Sequence, residues 1–214
     1  MAAHVFMGGT FDPIHNGHLR TALEIQQWLG VDYVNLMPSK RPVHREAPGC
    51  RAQDRLAMVE LAVHNEPALR CDSREIDSDQ ASYSVYTLAG LRKELGANQP
   101  VCMVLGMDAF LGLDSWHCYE YIMSLCHIIV VARPGYALTP NKVLADLLKK
   151  HQATAREALL GKPHGHIVIH ELTPLDISAT DIRALLQKGL SPRYLLPEAV
   201  LDYIEKMQLY KASD

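Results

Sequence analysis

Two short stretches of this chain carry side chains spaced for phosphate chemistry. The first reads Gly8, Gly9, Thr10, Phe11, Asp12, Pro13, Ile14, His15, Asn16, Gly17, His18, directly after an apolar run and directly before a helical pattern. A strand-to-helix turn of this kind lets the main chain approach a phosphate and aims free helix N–H groups at it. The glycines follow neither GxGxxG nor the P-loop spacing, so a dinucleotide fingerprint and a P-loop are both excluded. His15 and His18, three residues apart, put two imidazoles on one side of a helical first turn. A close anion raises a histidine pKa, and two protonated donors can stabilise charge on a phosphoryl group in transfer.

The second stretch is Ile177, Ser178, Ala179, Thr180, Asp181, Ile182, Arg183, followed by a helical pattern ending at Gly189. Ser178 with Asp181 reads as a capping box carrying Asp in place of Glu or Gln, so Ser178 is the expected N-cap. Thr180 falls on the first turn and Arg183 three residues later, so hydroxyl, backbone N–H and guanidinium can converge on one anion. Alone, this stretch reads equally as a capped surface helix with an exposed arginine. A lone histidine likewise reads as surface or satisfied core, and the pairing behind two glycines is what favours chemistry. Zinc is the other use of histidine pairs, but HExxH is absent and no metal site is expected.

Elements must exist to bring these stretches together. Short β-rich runs at HVFMGG, YVNLMP, LRCDSREI, VCMVLG, HIIVVA and HIVIHEL alternate with helical patterns such as Leu19 to Leu29 and Leu56 to Ala62. The alternation predicts an α/β fold: a Rossmann-like, doubly wound parallel sheet with C-terminal helices. Residues 1–214 read as a single domain whose helical C-terminal part covers about 178–214. The basic, proline-bearing stretch from Ser39 to Gly49 is expected to be a long mobile loop, and a helical excursion is expected between Tyr136 and Gly165.

Bulk properties bound the rest. Hydrophobic residues at 48% and charged residues at 21% are ordinary globular values. A net charge of −3 argues against a long nucleic-acid footprint. Five cysteines without a CxxC pair suggest neither a disulfide framework nor a thiolate zinc site. The N-terminus lacks a signal-peptide pattern and no apolar run approaches the ~20 residues of a membrane span. No nucleic acid and no membrane partner are expected, and the expected location is cytoplasmic.

Taken together, FDPIHNGH and ISATDIR resemble the HxGH nucleotidyltransferases, with Ala179 where the second signature usually has serine. The closer resemblance is to the bacterial nicotinate-nucleotide adenylyltransferases and spans nearly the whole chain: the basic loop with Pro42 and His44, SYSVYTL from Ser82, GMDAF from Gly106, Trp116, the RPG of Arg133 to Gly135, and YLLPEAVLDYI with Leu209 and Tyr210. The resemblance implies a sheet whose first and fourth strands flank the crevice, and a reaction in which an acceptor phosphate attacks the α-phosphorus of ATP, with magnesium accompanying ATP. It implies that Gly8, Gly9, Thr10, His15, His18, Gly106, Asp108, Ser178, Thr180 and Arg183 meet ATP, with His15, His18 and Arg183 catalytic. It further implies acceptor contacts from His44, Arg45, Ser82, Tyr83, Ser84, Thr87, Trp116 and Arg133, the acceptor being nicotinate mononucleotide.

Physical chemistry supports that acceptor. A pyridinium ring calls for an aromatic face, which Trp116 can supply, and a carboxylate calls for N–H donors without a nearby acid, which the helix opening at Ser82, Tyr83 and Ser84 can supply. Ser84 replaces the family's usual threonine, Arg45 its lysine and Val43 its proline; Arg45 keeps the charge but not the geometry. Other small nucleotidyltransferases, and a nucleotide-sensing protein without turnover, are the rival readings. Replacing His18 by alanine is expected to cut turnover by roughly 10²–10³, the loss typical of one preorganised charge-stabilising donor, with little change in melting temperature. Steady-state kinetics beside a thermal melt checks it; near-normal turnover would remove His18 from the chemistry.

Overall fold

The computed structural model describes residues 3–40, 49–132, 138–173 and 175–211. Its chain order is β1 (His4–Gly9), α1 (Asn16–Leu29), β2 (Val34–Pro38), α2 (Ala52–Val63), β3 (Leu69–Cys71), α3 (Arg74–Asp77), α4 (Ser84–Leu95), β4 (Val101–Gly106) and α5 (Met107–Leu111). Then follow α6 (Ile122–Leu125), β5 (His127–Ala132), α7 (Lys142–His151), α8 (Glu157–Leu160), β6 (Ile167–Glu171), α9 (Ala179–Gln187) and α10 (Glu198–Lys206). Two single 3₁₀ turns, at Leu113–Ser115 and Tyr119–Tyr121, lie between α5 and α6.

The strands form one sheet in the order β3-β2-β1-β4-β5-β6, every neighbouring pair parallel. This is the Rossmann-like doubly wound arrangement that the strand and helix patterns predict. Parallel strands buried on both faces need apolar side chains at successive positions, and all of β2 and all but the last residue of β4 are buried. The pleat then divides each strand between two cores. Cys102 and Val104 of β4 face α1, α2, α9 and α10, whereas Val101, Met103 and Leu105 face α4, α5, α6 and α7.

Helix faces follow from spacing. Ala22, Ile25 and Leu29 form the buried stripe of α1, which ends where Gly30 takes φ +68 and returns its N–H to the Gln26 carbonyl. The expected excursion is present as α7 and α8. Asn141 caps α7 by accepting the Leu144 N–H at 3.0 Å, and Leu144 and Leu148 seal one core. One strand is shorter than its apolar run suggests. LRCDSREI gives only the three residues of β3, because Asp72 accepts the Arg74 N–H at 3.1 Å and turns the chain into α3. Among the described residues no helix is long and apolar enough to cross a membrane.

The strand order reverses between β1 and β4, so their carboxyl ends open a crevice between connections leaving toward opposite faces. The first signature stretch begins there, at the end of β1, and GMDAF leaves the end of β4, whereas ISATDIR follows the edge strand β6. Most of the basic loop, His44 and Arg45 included, lies outside the described residues, as does Arg133.

Candidate active site

The floor of the crevice is main chain. Gly8 and Gly106, at the ends of β1 and β4, are exposed, and a Cβ on either would meet nothing within 4 Å. A ligand can therefore approach the backbone closely at both strand ends. Gly9 is constrained differently: a Cβ there would stand 2.8 Å from the Phe11 ring. Phe11 adopts φ 49, in the left-handed region, and this turns its buried ring edge-on to His18 at 5.1 Å. Non-glycine residues in that region are uncommon, and cost about 1–3 kcal/mol that the surrounding packing must offset.

His15 and His18 stack, ring centroids 3.6 Å apart and planes 25° from parallel. The sequence places both on a helical first turn; the structure places His15 one residue earlier, as the extended N-cap of α1 with φ −147 and ψ 169. Its ring folds back over Gly17, whose replacement by any residue with a Cβ would bring carbon to 3.0 Å from His15 Nδ1. The glycine between the histidines thus makes room for the stack. No side chain caps α1 and no acidic residue occupies its first turn, although the Asn16 N–H donates to the Leu195 carbonyl at 2.9 Å, so the helix terminus keeps part of its positive potential. Burial pushes the His15 pKa down to about 4, and among the described residues its Nδ1 has no hydrogen-bond partner. His15 is neutral at rest, and an anion brought against it would recruit the proton.

ISATDIR closes the other side. Ser178 is the N-cap of α9: its hydroxyl accepts the Asp181 N–H at 3.1 Å and donates to the Asp181 carboxylate at 2.7 Å. The capping box forms, with a hydroxyl-to-carboxylate bond replacing the usual side-chain-to-backbone return. Ile177 Cβ lies 3.7 Å from where a Gly17 Cβ would sit, so the two stretches adjoin. Arg183 donates from Nη1 to the Asp12 main-chain carbonyl at 2.6 Å and from Nη2 to Thr180 Oγ1 at 3.4 Å. Guanidinium and hydroxyl thus come together beside the GGTFDP turn. Asp108 is exposed on the first turn of α5, whose N-cap is Gly106, so Asp108 is not spent on capping.

Of the residues expected to serve an acceptor, those described lie at the opening of α4 and at Trp116. Tyr83 and Tyr86 of the SYSVY segment pack on His117, the neighbour of Trp116, with ring centroids at 4.5 Å and 5.5 Å, and Tyr86 Oη pairs with His117 Nε2 at 3.1 Å. Trp116 is half-buried against the core on that side of the sheet. No side chain caps α4, which begins at Ser84. The expectation of a site free of acid is corrected here. Glu75 accepts the Thr87 hydroxyl at 2.7 Å and is also hydrogen-bonded by Ser82, while burial pushes its carboxyl pKa up. The hydroxyls of Thr87 and Ser82 are turned toward Glu75, so these residues hold the opening of α4 in place.

Three contributors received no role from the sequence. Arg55, fully buried, donates to the carbonyls of Thr10 and Ser39 at 2.7 Å and of Lys40 at 3.0 Å. Its one signal is position, for it shares a helical face with buried Met58 and Val59. Asp12 lies inside the first signature and Tyr210 near the C-terminus; Tyr210 Oη donates to Asp12 Oδ1 at 2.7 Å. A cleft of about 440 Å³ runs past Gly49, Arg183 and Tyr210 but is not lined by His15 or His18. His15 and His18 lie instead at the start of α1.

The cytidylyltransferase-like family matches residues 6–185, which hold both signature stretches. A Pseudomonas putida protein named "Probable nicotinate-nucleotide adenylyltransferase" is 47% identical over 206 residues, covering 96% of this chain and 94% of the relative. The chain belongs to the nicotinate-nucleotide adenylyltransferase family. A relative of the same name in Pseudomonas paraeruginosa is also 47% identical, over 205 residues that cover 96% of this chain and 95% of the relative. The Plasmodium falciparum nicotinic acid mononucleotide adenylyltransferase complexed with NaAD shares the fold, with a TM-score of 0.72 at 17% identity over 98% of each chain.

Gly17→Ala isolates the stack. Alanine favours a helix over glycine by up to ~1 kcal/mol, yet its methyl must displace the His15 ring. Turnover is expected to fall by about 10²-fold, the scale of an ångström-sized misplacement, while the melting temperature holds or rises. Unchanged kinetics would show that the His15 position is immaterial.

Proposed function

We propose that this protein transfers AMP from ATP to nicotinate mononucleotide, forming nicotinate adenine dinucleotide and pyrophosphate, a step of NAD biosynthesis. The observation that carries the chemistry is the His15–His18 stack at the uncapped start of α1, faced by Thr180 and Arg183 across the crevice. An acceptor phosphate oxygen bonds to the α-phosphorus as the bond from that phosphorus to the pyrophosphate oxygen breaks. The attacking oxygen is already ionised at neutral pH, so no side chain has to remove a proton. Catalysis rests on alignment and on charge stabilisation, each able to supply several kcal/mol in order of magnitude.

In this reading His15 and His18, with Thr10 and the main chain at Gly8 and Gly9, grip the transferring phosphoryl group. Thr180, Arg183 and the free amides at the start of α9 hold the departing pyrophosphate, and Gly106 and Asp108 border the nucleoside. Among the described residues no group of three or more His, Cys, Asp or Glu side chains is placed to hold a metal ion. By the family resemblance magnesium would accompany ATP and neutralise the triphosphate.

For the acceptor, Trp116 offers a ring face to the pyridinium, and the first amides of α4, at Ser84 and Val85, face its carboxylate. Glu75 holds this opening through Ser82 and Thr87. His44, Arg45 and Arg133 are assigned to the acceptor phosphate by the family resemblance. All five cysteines are free, which suits a reducing compartment, and the reading assigns the cytoplasm.

Pyrophosphate release with ATP and magnesium should strongly favour nicotinate mononucleotide over nicotinamide mononucleotide and phosphopantetheine. Preference for another acceptor would overturn the acceptor assignment while keeping the chemistry; ATP binding without release from any of them would favour a sensor. Trp116→Ala should raise the acceptor KM far more than the ATP KM, and an equal rise would mark Trp116 as packing alone. A second expectation concerns protons. The free His15 pKa is about 4 and a bound triphosphate raises it, so ATP binding at neutral pH takes up a proton and weakens as pH rises. Calorimetry in buffers of different ionisation enthalpy measures that uptake; the same value in His15→Ala would place the proton elsewhere.

A further inference from the structure

Asp12 collects contacts from three separate parts of the chain. Its Oδ1 accepts the Tyr210 hydroxyl at 2.7 Å and has Cys50 Sγ at 3.3 Å, while its Oδ2 accepts the Gly49 N–H at 2.7 Å. The carboxylate and the Tyr210 ring are both buried. Cys50 Sγ also lies 3.1 Å from the phenol oxygen, and burial pushes its thiol up to about 12, so it serves as a neutral donor rather than a nucleophile. Against this carboxylate Arg183 makes an unusual choice. Its Nη1 stands 3.7 Å from Oδ2 but donates to the main-chain carbonyl of the same residue at 2.6 Å.

We propose that Tyr210 is a positioning residue for the transfer reaction: its hydroxyl, with the Gly49 amide, occupies the Asp12 carboxylate, so that Arg183 rests on a neutral carbonyl and remains free to turn to the nucleotide phosphates. This rests on the reading that Arg183 meets the triphosphate. A charge-assisted hydrogen bond is roughly twice as strong as a neutral one. With Oδ1 and Oδ2 held by other donors, the guanidinium lacks the fork-to-fork pairing that would lock it to Asp12. Removing the phenol hydroxyl leaves Oδ1 only the longer Cys50 contact, and among the described residues the cation paired with this carboxylate is Arg183. The C-terminal segment thereby sets how readily the phosphate-binding arginine is released, although Tyr210 itself touches no reacting atom.

Tyr210→Phe keeps the ring packed on Gly49 and deletes only the hydroxyl. The ATP KM is expected to rise about tenfold, the scale of exchanging a neutral contact for a charge-assisted one, with the acceptor KM within about twofold of wild type. Adding Asp12→Asn to Tyr210→Phe removes the competing charge and should bring the ATP KM back to within about threefold of wild type. A purely structural tyrosine would raise both KM values together, and the double variant would then be worse than the single; either result overturns the proposal, as does an unchanged ATP KM. If Tyr210→Phe melts below the assay temperature, Cys50→Ala, which withdraws the longer contact to the same oxygen, must raise the ATP KM by about twofold, and no rise overturns it. Absence of pyrophosphate release from the wild-type chain would defeat the transferase reading instead, so the two failures are distinguishable.

Discussion

One buried cation fixes the shape of the crevice. The guanidinium of Arg55 reaches the carbonyls that follow β1, at Thr10, and β2, at Ser39 and Lys40, so two strand ends and α2 are joined at a single point. Burial costs a charge its hydration, and three carbonyl acceptors offset much of that cost, with no carboxylate in direct contact among the described residues. Its Nε has no hydrogen-bond partner among the described residues, and burial lowers the guanidinium pKa from a value so high that it stays charged. Lysine could not replace it, because an ammonium lacks the planar fork that serves several fixed acceptors at once. The helix that carries Arg55 is itself tied to the C-terminal helix, where Tyr203 donates to Asp54 at 3.1 Å.

From that anchor the two sides of the site differ in kind. The GGTFDPIHNGH side is assembled by close approach, with a ring against Gly9, a ring over Gly17 and one residue in the left-handed region. Such contacts leave little tolerance, which suits groups that must meet a transition state. The ISATDIR side is assembled by hydrogen bonds on an exposed helix start, where Ser178 and Thr180 remain solvent-facing. Arg183, reaching back to Asp12, is the link between them.

Much of this was legible in the sequence because the signals were local. The strand runs, the helical stripe of α1, the Ser178 cap and the pairing of His15 with His18 each follow from spacing along a few residues. The early end of β3 was not, since it depends on a single Asp72 side chain bonding two residues ahead. Long-range partners were illegible for a different reason. Tyr210 meets Asp12 across 198 positions, and Glu75 meets Thr87 from a separate helix, so neither contact leaves a periodic trace. Arg55 left a faint one, a charge on an apolar helical face, which is readable only by asking what such a charge would hold. The thiols illustrate the converse: burial pushes Cys71 and Cys102 up to about 12, so residues that are chemically versatile in a sequence are inert in the fold.

The placement of the two tryptophans gives this chain an optical asymmetry. Trp28 packs on the α1 and α2 side of the sheet, stacked at 4.0 Å on His170, whereas Trp116 packs on the opposite side beside the Tyr83, Tyr86 and His117 cluster. The sheet separates the two indoles. A ligand against Trp116, as proposed, would therefore alter the emission of one indole while Trp28 lies on the far face of the sheet. The chain would then hold a reference fluorophore and a reporting one without any label.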